Sequence, residues 1–222
     1  WRGFNASFVN RDVTAFDLAR QVYDGHAFTT WHKDNWRTTA NFVCGQHIGL
    51  DFDNGDQSSS LETLRSSQFI GKFASMIYTT PSHTPTAPRA RVVFLLDTPI
   101  QQAQNYALSA AALLWLFGTA DRQCKDAARF FYGSLRCEIE MLDNVLPLAT
   151  LKRVIGQYQE TGRKELARHA RAGAVATNDR YTTAALRNEV EAVRSAPSGT
   201  RNDTLNKACW SLARFIGTGE LS

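Results

Sequence analysis

The sequence predicts an α+β fold: a mixed-sheet domain over residues 1–147, followed by a small all-helical bundle over residues 148–222. Two observations carry this. Helix-like and strand-like segments alternate up to about Pro147, where the strand signals stop. Beyond it, apolar residues recur only at helical spacing: Leu151, Val154, Ile155 and Tyr158, then Leu186, Val190 and Val193, then Leu205, Ala208, Cys209, Leu212 and Phe215.

The elements follow in order. Phe16, Ala19 and residues 21–23 suit a short helix opened by Thr14 or Asp17. Residues 47–53 read as a strand, with Ile48, Leu50 and Phe52 on one face and Gly49, Asp51 and Asp53 on the other. Residues 54–60 are turn-rich, and Ser60, Leu61, Glu62 and Thr63 open a second helix. Strands are expected at 74–79 and 90–96, separated by a loop holding Pro81, Pro85 and Pro88. Residues 100–117 form a long apolar helix, and 128–135 return to the sheet.

Composition narrows the class. With 43% hydrophobic and 21% charged residues, the chain can bury a core and stay soluble. Its longest apolar run, 110–117, is too short to cross a bilayer, and no basic-then-apolar leader opens it. A cytoplasmic protein with no membrane partner is expected, and the start at Trp1 suggests a piece of a longer protein. Cys44, Cys124, Cys137 and Cys209 contain no CxxC pair, so free thiols are expected rather than a disulfide framework or a cysteine-based zinc site. Residues 151–222 hold 12 lysines and arginines against 7 aspartates and glutamates, a net +5 where the whole chain is +4. The positive charge therefore sits in the helical part, which favours a polyanion there.

Three segments carry chemistry. Residues two apart on a strand project alike, so Asp51 and Asp53 stand side by side, and two such carboxylates favour a hard divalent ion between them. Incidental acids on an exposed edge strand would look the same, and dehalogenase-type phosphatases and nucleotide-sugar glycosyltransferases also place a DxD at a strand end. The loop with Ser82 and His83 and the strand bearing Arg91 supply donors suited to a triphosphate. Asp121 follows the long helix and could complete a two-metal cage, with Arg129 as a phosphate contact. Asp126 is the alternative third acid, and either acid could merely cap a turn or pair with Arg122 or Lys125.

Taken together, the Asp51–Asp53 strand, the Ser82-His83 loop and Asp121 followed by Arg129, Phe130 and Phe131 resemble the catalytic domain of the archaeo-eukaryotic primase superfamily. The nearest likeness is to the primase-polymerases of phages, plasmids and related mobile elements. It covers about residues 25–135, with residues 36–42 similar to the family's lead-in strand and 199–206 similar to a helix-bundle module often found behind such domains. Two departures stand out: the family usually separates the Ser and His by one residue, and the third carboxylate is open between Asp121 and Asp126.

The resemblance implies an RRM-like sheet and a nucleotidyltransferase, a DNA primase or DNA polymerase, acting in replication of a mobile element. Two Mg²⁺ or Mn²⁺ ions would be held by Asp51, Asp53 and Asp121, with Ser82, His83, Arg91 and Arg129 on the nucleotide. Partners would be a single-stranded DNA template, a primer and nucleoside triphosphates, with a helicase elsewhere in the full-length protein as a further one. The bundle would grip template or initiating nucleotide through Lys152, Arg153, Arg163, Lys164, Arg201 and Asn202. Trp31 and Trp36, beside His32, Lys33 and Arg37, are candidate base-stacking residues, whereas Trp210 is expected in the bundle core. A non-catalytic replication-initiation or nucleic-acid-binding protein is the alternative, ahead of a DxD phosphatase or glycosyltransferase. A phosphatase would be expected to carry Thr or Val where Gly55 stands.

Overall fold

A computed structural model describes residues 2–173, 179–197 and 200–216. The fold is α+β, in two compact units, Trp1–Tyr158 and Gln159–Ser222. In the first, helices α1 (Arg2–Asn5) and α2 (Ala15–Tyr23) precede strands β1 (Phe28–Thr29), β2 (Trp31–His32) and β3 (Phe42–Phe52). Next come α3 (Leu61–Ser66), α4 (Gln68–Phe73), β4 (Met76–Thr79), β5 (Ala90–Ile100) and α5 (Ala103–Leu116). Strands β6 (Phe130–Phe131) and β7 (Ile139–Met141) follow, then helices α6 (Leu148–Gly173), α7 (Asp179–Ser195) and α8 (Arg201–Ile216).

Local chemistry explains the boundaries. Thr14 caps α2 by accepting from the Asp17 N–H at 3.1 Å, while the Asp17 carboxylate takes the Thr14 N–H in return, a capping box that contributes about 1 kcal/mol. Ser60 caps α3 by accepting from the Thr63 N–H.

The main sheet has the order β2-β3-β5-β4-β7, each ladder antiparallel, and its mixed character is confined to an isolated parallel bridge between Leu96 and Leu146. On one face, Ile48, Leu50 and Phe52 are fully buried opposite Phe94, Val92 and Ala90. Aromatic rings close this side: Phe117 lies 6.1 Å from Phe52 and 5.8 Å from Phe69, edge to face.

The other face is also covered. The β1–β6 ribbon lies over it, because Phe131 sits so close to Gly49 that a Cβ there would come within 2.7 Å of its ring. Only glycine leaves room for that approach. Residues 128–135 thus return to a second, two-stranded sheet rather than to the main one. Residues 36–42 are not a lead-in strand either: short 3₁₀ turns at Lys33–Asn35 and Thr39–Asn41 bring the chain round to β3. Their backbone is held locally, with Asn41 Nδ2 bonded to the Trp36 carbonyl at 3.1 Å.

The first unit extends past the boundary expected at residue 147. Leu151 and Val154, on the first turns of α6, are buried in its core, and the compact unit ends at Tyr158. In the second unit α7 and α8 pack together around buried Ala208. Trp210 is 84% exposed, so it is not the core residue its neighbours in sequence suggested; it lies on the face of α8 away from Ala208. Gly199 lies outside the described residues. Among the described residues, no helix is long and apolar enough to cross a membrane.

His47, between Phe28 at 5.2 Å and Phe131 at 6.5 Å, has its Nε2 buried without a partner. Burial lowers its pKa from 6.5 to about 4. The unfolded chain therefore takes up this proton first as pH falls, and the stability linked to His47, complete above pH 6.5, is lost on descent toward pH 4. Urea denaturation of a His47→Phe variant should show a shallower loss of stability across that window; a slope equal to the parent's would contradict the assignment.

Candidate active site

Three neighbouring strands contribute one residue each to a single cross-strand row. Asp51 on β3 stands opposite Arg91 on β5, and Arg91 opposite Tyr78 on β4. All are buried, at 8%, 6% and 0% exposure, on the face covered by the β1–β6 ribbon. Arg91 Nε donates to Asp51 Oδ1, and Arg91 Nη1 donates to the Tyr78 hydroxyl at 2.5 Å and the Tyr132 carbonyl at 2.7 Å. The Tyr78 hydroxyl donates to the same carbonyl at 3.0 Å. Burial opposes the guanidinium charge, but Tyr78 and Asp51 outweigh it and hold its pKa above the ordinary value. Burial likewise pushes the Tyr78 hydroxyl well up, so it stays a donor.

Asp121 arrives from the loop after α5. Its backbone N–H donates to the Asp51 carbonyl at 2.8 Å, which ties this loop to β3. Asp121 Oδ1 accepts from the Gln123 N–H at 3.0 Å. The other oxygens of the two acids, both Oδ2, share neighbours. Cys124 Sγ lies 3.4 Å from that of Asp51 and 3.9 Å from that of Asp121; Arg129 Nη2 lies 3.6 Å and 3.9 Å from the same atoms. Burial, reinforced by Asp51, pushes the Cys124 thiol up to about 12, so at neutral pH it is an S–H donor.

Asp126 is committed elsewhere, accepting from Thr39 Oγ1 at 2.9 Å and the Ala128 N–H at 3.0 Å. Of the two sequence candidates, Asp121 is therefore the one the fold brings to Asp51. Asp53 is exposed just beyond the end of β3, and among the described residues the compact group of potential ligands consists of Asp51, Asp121 and Cys124, their donor atoms within 4.8 Å of one another. The donor set fits a cation: the two Oδ2 atoms remain available after Arg91 has taken Asp51 Oδ1, and a guanidinium already spans them. Two carboxylates suffice for one ion, while a second would need Asp53, roughly 7 Å along the strand.

The remaining sequence-predicted residues divide. Arg91 faces Asp51 as a buried partner, Arg129 bridges the acids at 32% side-chain exposure, and its Nε is buried without a partner. His83 Nδ1 accepts the Arg89 N–H at 3.1 Å, which leaves the proton of a neutral ring on Nε2. His83 lines a cleft of about 360 Å³ with Thr79, Thr80, Pro81, Ser134, Leu135 and Cys137. Ser82 is exposed in the adjoining turn. The next turn, closed by Thr84 and Ala87, meets the one after β3, since a Cβ on Gly55 would touch Ala87 at 3.7 Å. Lys152, Arg153, Arg163, Lys164, Arg201 and Asn202 are all exposed, with Lys164 paired to Glu160 at 2.7 Å. Helix α8 starts at Arg201, so Asn202 lies within its first turn.

Sequence reasoning missed Cys124, Tyr78 and the Tyr132 carbonyl. Cys124 carried one usable signal, its position three residues after Asp121; the other two depend on strand register. Removing Arg91 leaves a buried carboxylate and two polar partners without their cation. Arg91→Met should cost ~3–5 kcal/mol of unfolding free energy in urea, and a loss below about 1 kcal/mol would show the pair to be dispensable.

No protein-family model matches the chain, and no curated protein matches it in sequence. Among solved structures, the AEP domain of the cyanophage S-2L primase-polymerase is similar, with 14% identity and a TM-score of 0.43 over 54% of this chain. The match spans 65% of that domain's chain.

Proposed function

We propose that this chain synthesises nucleic acid on a template, as a primase-polymerase that joins nucleoside triphosphates by divalent-ion-dependent nucleotidyl transfer. One observation carries the reading: Asp51 and Asp121, from separate segments, bring one carboxylate oxygen each to a common cation position. A carboxylate already paired with a buried arginine gains no stability from a second acid beside it, so the convergence calls for a chemical reason.

The roles follow from the geometry. Arg91 fixes Asp51 by holding Oδ1, so Oδ2 keeps one orientation toward Asp121. Asp51 and Asp121 would hold Mg²⁺ or Mn²⁺, which would supply activation of a primer or nucleotide hydroxyl and charge neutralisation of the leaving pyrophosphate. Asp53, at the exposed strand end, is the carboxylate available to a second ion. Arg129, partly exposed and loosely held by the acids, can turn to a phosphate. His83 donates from Nε2 to a triphosphate oxygen in the cleft it lines, with Ser82 in the adjoining turn. The exposed cations Lys152, Arg153, Arg163, Lys164 and Arg201, with Asn202, serve the single-stranded template and the initiating nucleotide through phosphate contacts. The activity is that of a mobile-element replication protein, with any helicase supplied by a separate segment.

A second reading, a non-catalytic nucleic-acid-binding protein, draws on the same contacts, because Arg129 between two acids is also how a structural cluster neutralises itself. Incubating the protein with primed template, nucleoside triphosphates and Mg²⁺ or Mn²⁺ separates the two. Incorporation is expected, with Asp51→Asn and Asp121→Asn each lowering it ~10³-fold or more while template binding persists. Template binding with no incorporation under any of these conditions selects the second reading. A chain ending at Tyr158, which retains Leu151 and Val154, should extend primers yet lose de novo initiation. Equal loss of both activities would reduce the helical unit to a structural role.

A further inference from the structure

Cys124, a residue 2% exposed, has no part in the roles above, yet its sulfur stands beside both carboxylate oxygens. We infer that Asp51, Asp121 and Cys124 form a mixed oxygen–sulfur site for a thiophilic divalent ion of the Zn²⁺ class, taken in preference to Mg²⁺. The inference rests on the reading of Asp51 and Asp121 as the ion-holding pair and names a third ligand for it.

The sulfur ligand and its spacing from the two oxygens favour a thiophilic ion. Tetrahedral zinc with Zn–S near 2.3 Å and Zn–O near 2.1 Å places a sulfur and an oxygen ligand about 3.6 Å apart. The two Sγ to Oδ2 distances, 3.4 and 3.9 Å, straddle that edge. Octahedral Mg²⁺ at about 2.1 Å needs oxygen ligands about 3 Å apart and has no use for sulfur. A separate observation marks the spot as a cation position: Arg129 Nη2 spans both carboxylates at 3.6 and 3.9 Å, contacts too long for good hydrogen bonds, while its Nε is buried without a partner. An incoming ion displaces that side chain, which is partly exposed and has water to move into. The sulfur binds as thiolate and its S–H proton leaves to solvent. Three protein ligands leave a fourth position open, as in zinc sites that accept water or a phosphate oxygen. Zn²⁺ at this place competes with the Mg²⁺ or Mn²⁺ of nucleotidyl transfer, so it acts as an inhibitor there.

The test is a titration of the full chain with Cd²⁺, read by the ultraviolet charge-transfer absorption of a cadmium–thiolate bond. A saturable band is expected that resists excess Mg²⁺. Cys124→Ser and Cys124→Ala should each abolish it, with folding followed by circular dichroism, and Asp121→Asn should weaken Cd²⁺ binding at least about tenfold. A band that survives both Cys124 substitutions belongs to Cys44, Cys137 or Cys209 and overturns the inference. Indifference to Asp121→Asn, or displacement by equimolar Mg²⁺, does so too. Nucleotide incorporation reports separately. A Cys124-dependent band without incorporation keeps this site and removes the polymerase assignment; Mg²⁺-supported incorporation without the band does the reverse.

Discussion

The buried ion pair between Asp51 and Arg91 sets the conditions for everything around it. Removing two charges from water costs several kcal/mol per ion even after relaxation, and only good geometry with further hydrogen bonds offsets that. The fold supplies both. Antiparallel register puts Asp51, Arg91 and Tyr78 in line on adjacent strands, and the Tyr132 carbonyl accepts from Arg91 and Tyr78 together. The same contacts therefore fasten the β1–β6 segment to the sheet. On the strand side, the Asp51 carbonyl receives the Asp121 N–H, so one residue organises the ribbon, the loop after α5 and the converging acids. With Oδ1 of Asp51 held by Arg91, its Oδ2 faces the Asp121 side, contacted there by Cys124 and Arg129.

That arrangement depends on a sheet buried on both faces. Ile48, Leu50 and Phe52 turn toward the helices and their aromatic cluster, while Gly49 lets Phe131 come down on the opposite side. Phe131 also lies under the Arg91 guanidinium, 4.7 Å from ring centroid to Cζ, which adds a cation–π contact between two buried side chains. Near the edge of this cover, Asp121 and Arg129 keep side-chain exposures of 27% and 32%. Low dielectric below and partial access at the rim are the conditions under which a carboxylate pair can bind a cation strongly and still exchange it.

Much of the scaffold was legible because short-range rules govern it. Alternation along residues 48–53 announced a strand with Asp51 turned away from the apolar face, and Thr14 and Ser60 announced their helices through capping chemistry. Other features depended on register and long-range packing, which no spacing encodes. Arg91 looked like a phosphate contact from its place at a strand start, but cross-strand pairing sets it against Asp51. Residues 36–42 carry strand-like composition, yet they follow one 3₁₀ turn at Lys33–Asn35 and contain a second at Thr39–Asn41. Trp210 sits among apolar neighbours in sequence and still faces solvent, because helical phase rather than proximity to Cys209 and Leu212 decides the buried side. Leu151 and Val154 recur at the helical spacing of the bundle, yet they are buried in the core of the first unit.

The convergence of Asp51 and Asp121 on one cation is the claim with the widest consequences. Anomalous scattering from crystals of the full chain soaked in Mn²⁺ reads it directly. A peak is expected within coordinating distance, about 2.2 Å, of Oδ2 on both residues, with the Arg129 guanidinium moved off them. A peak bound elsewhere, or none at this position with Arg129 still bridging the two carboxylates, would contradict it.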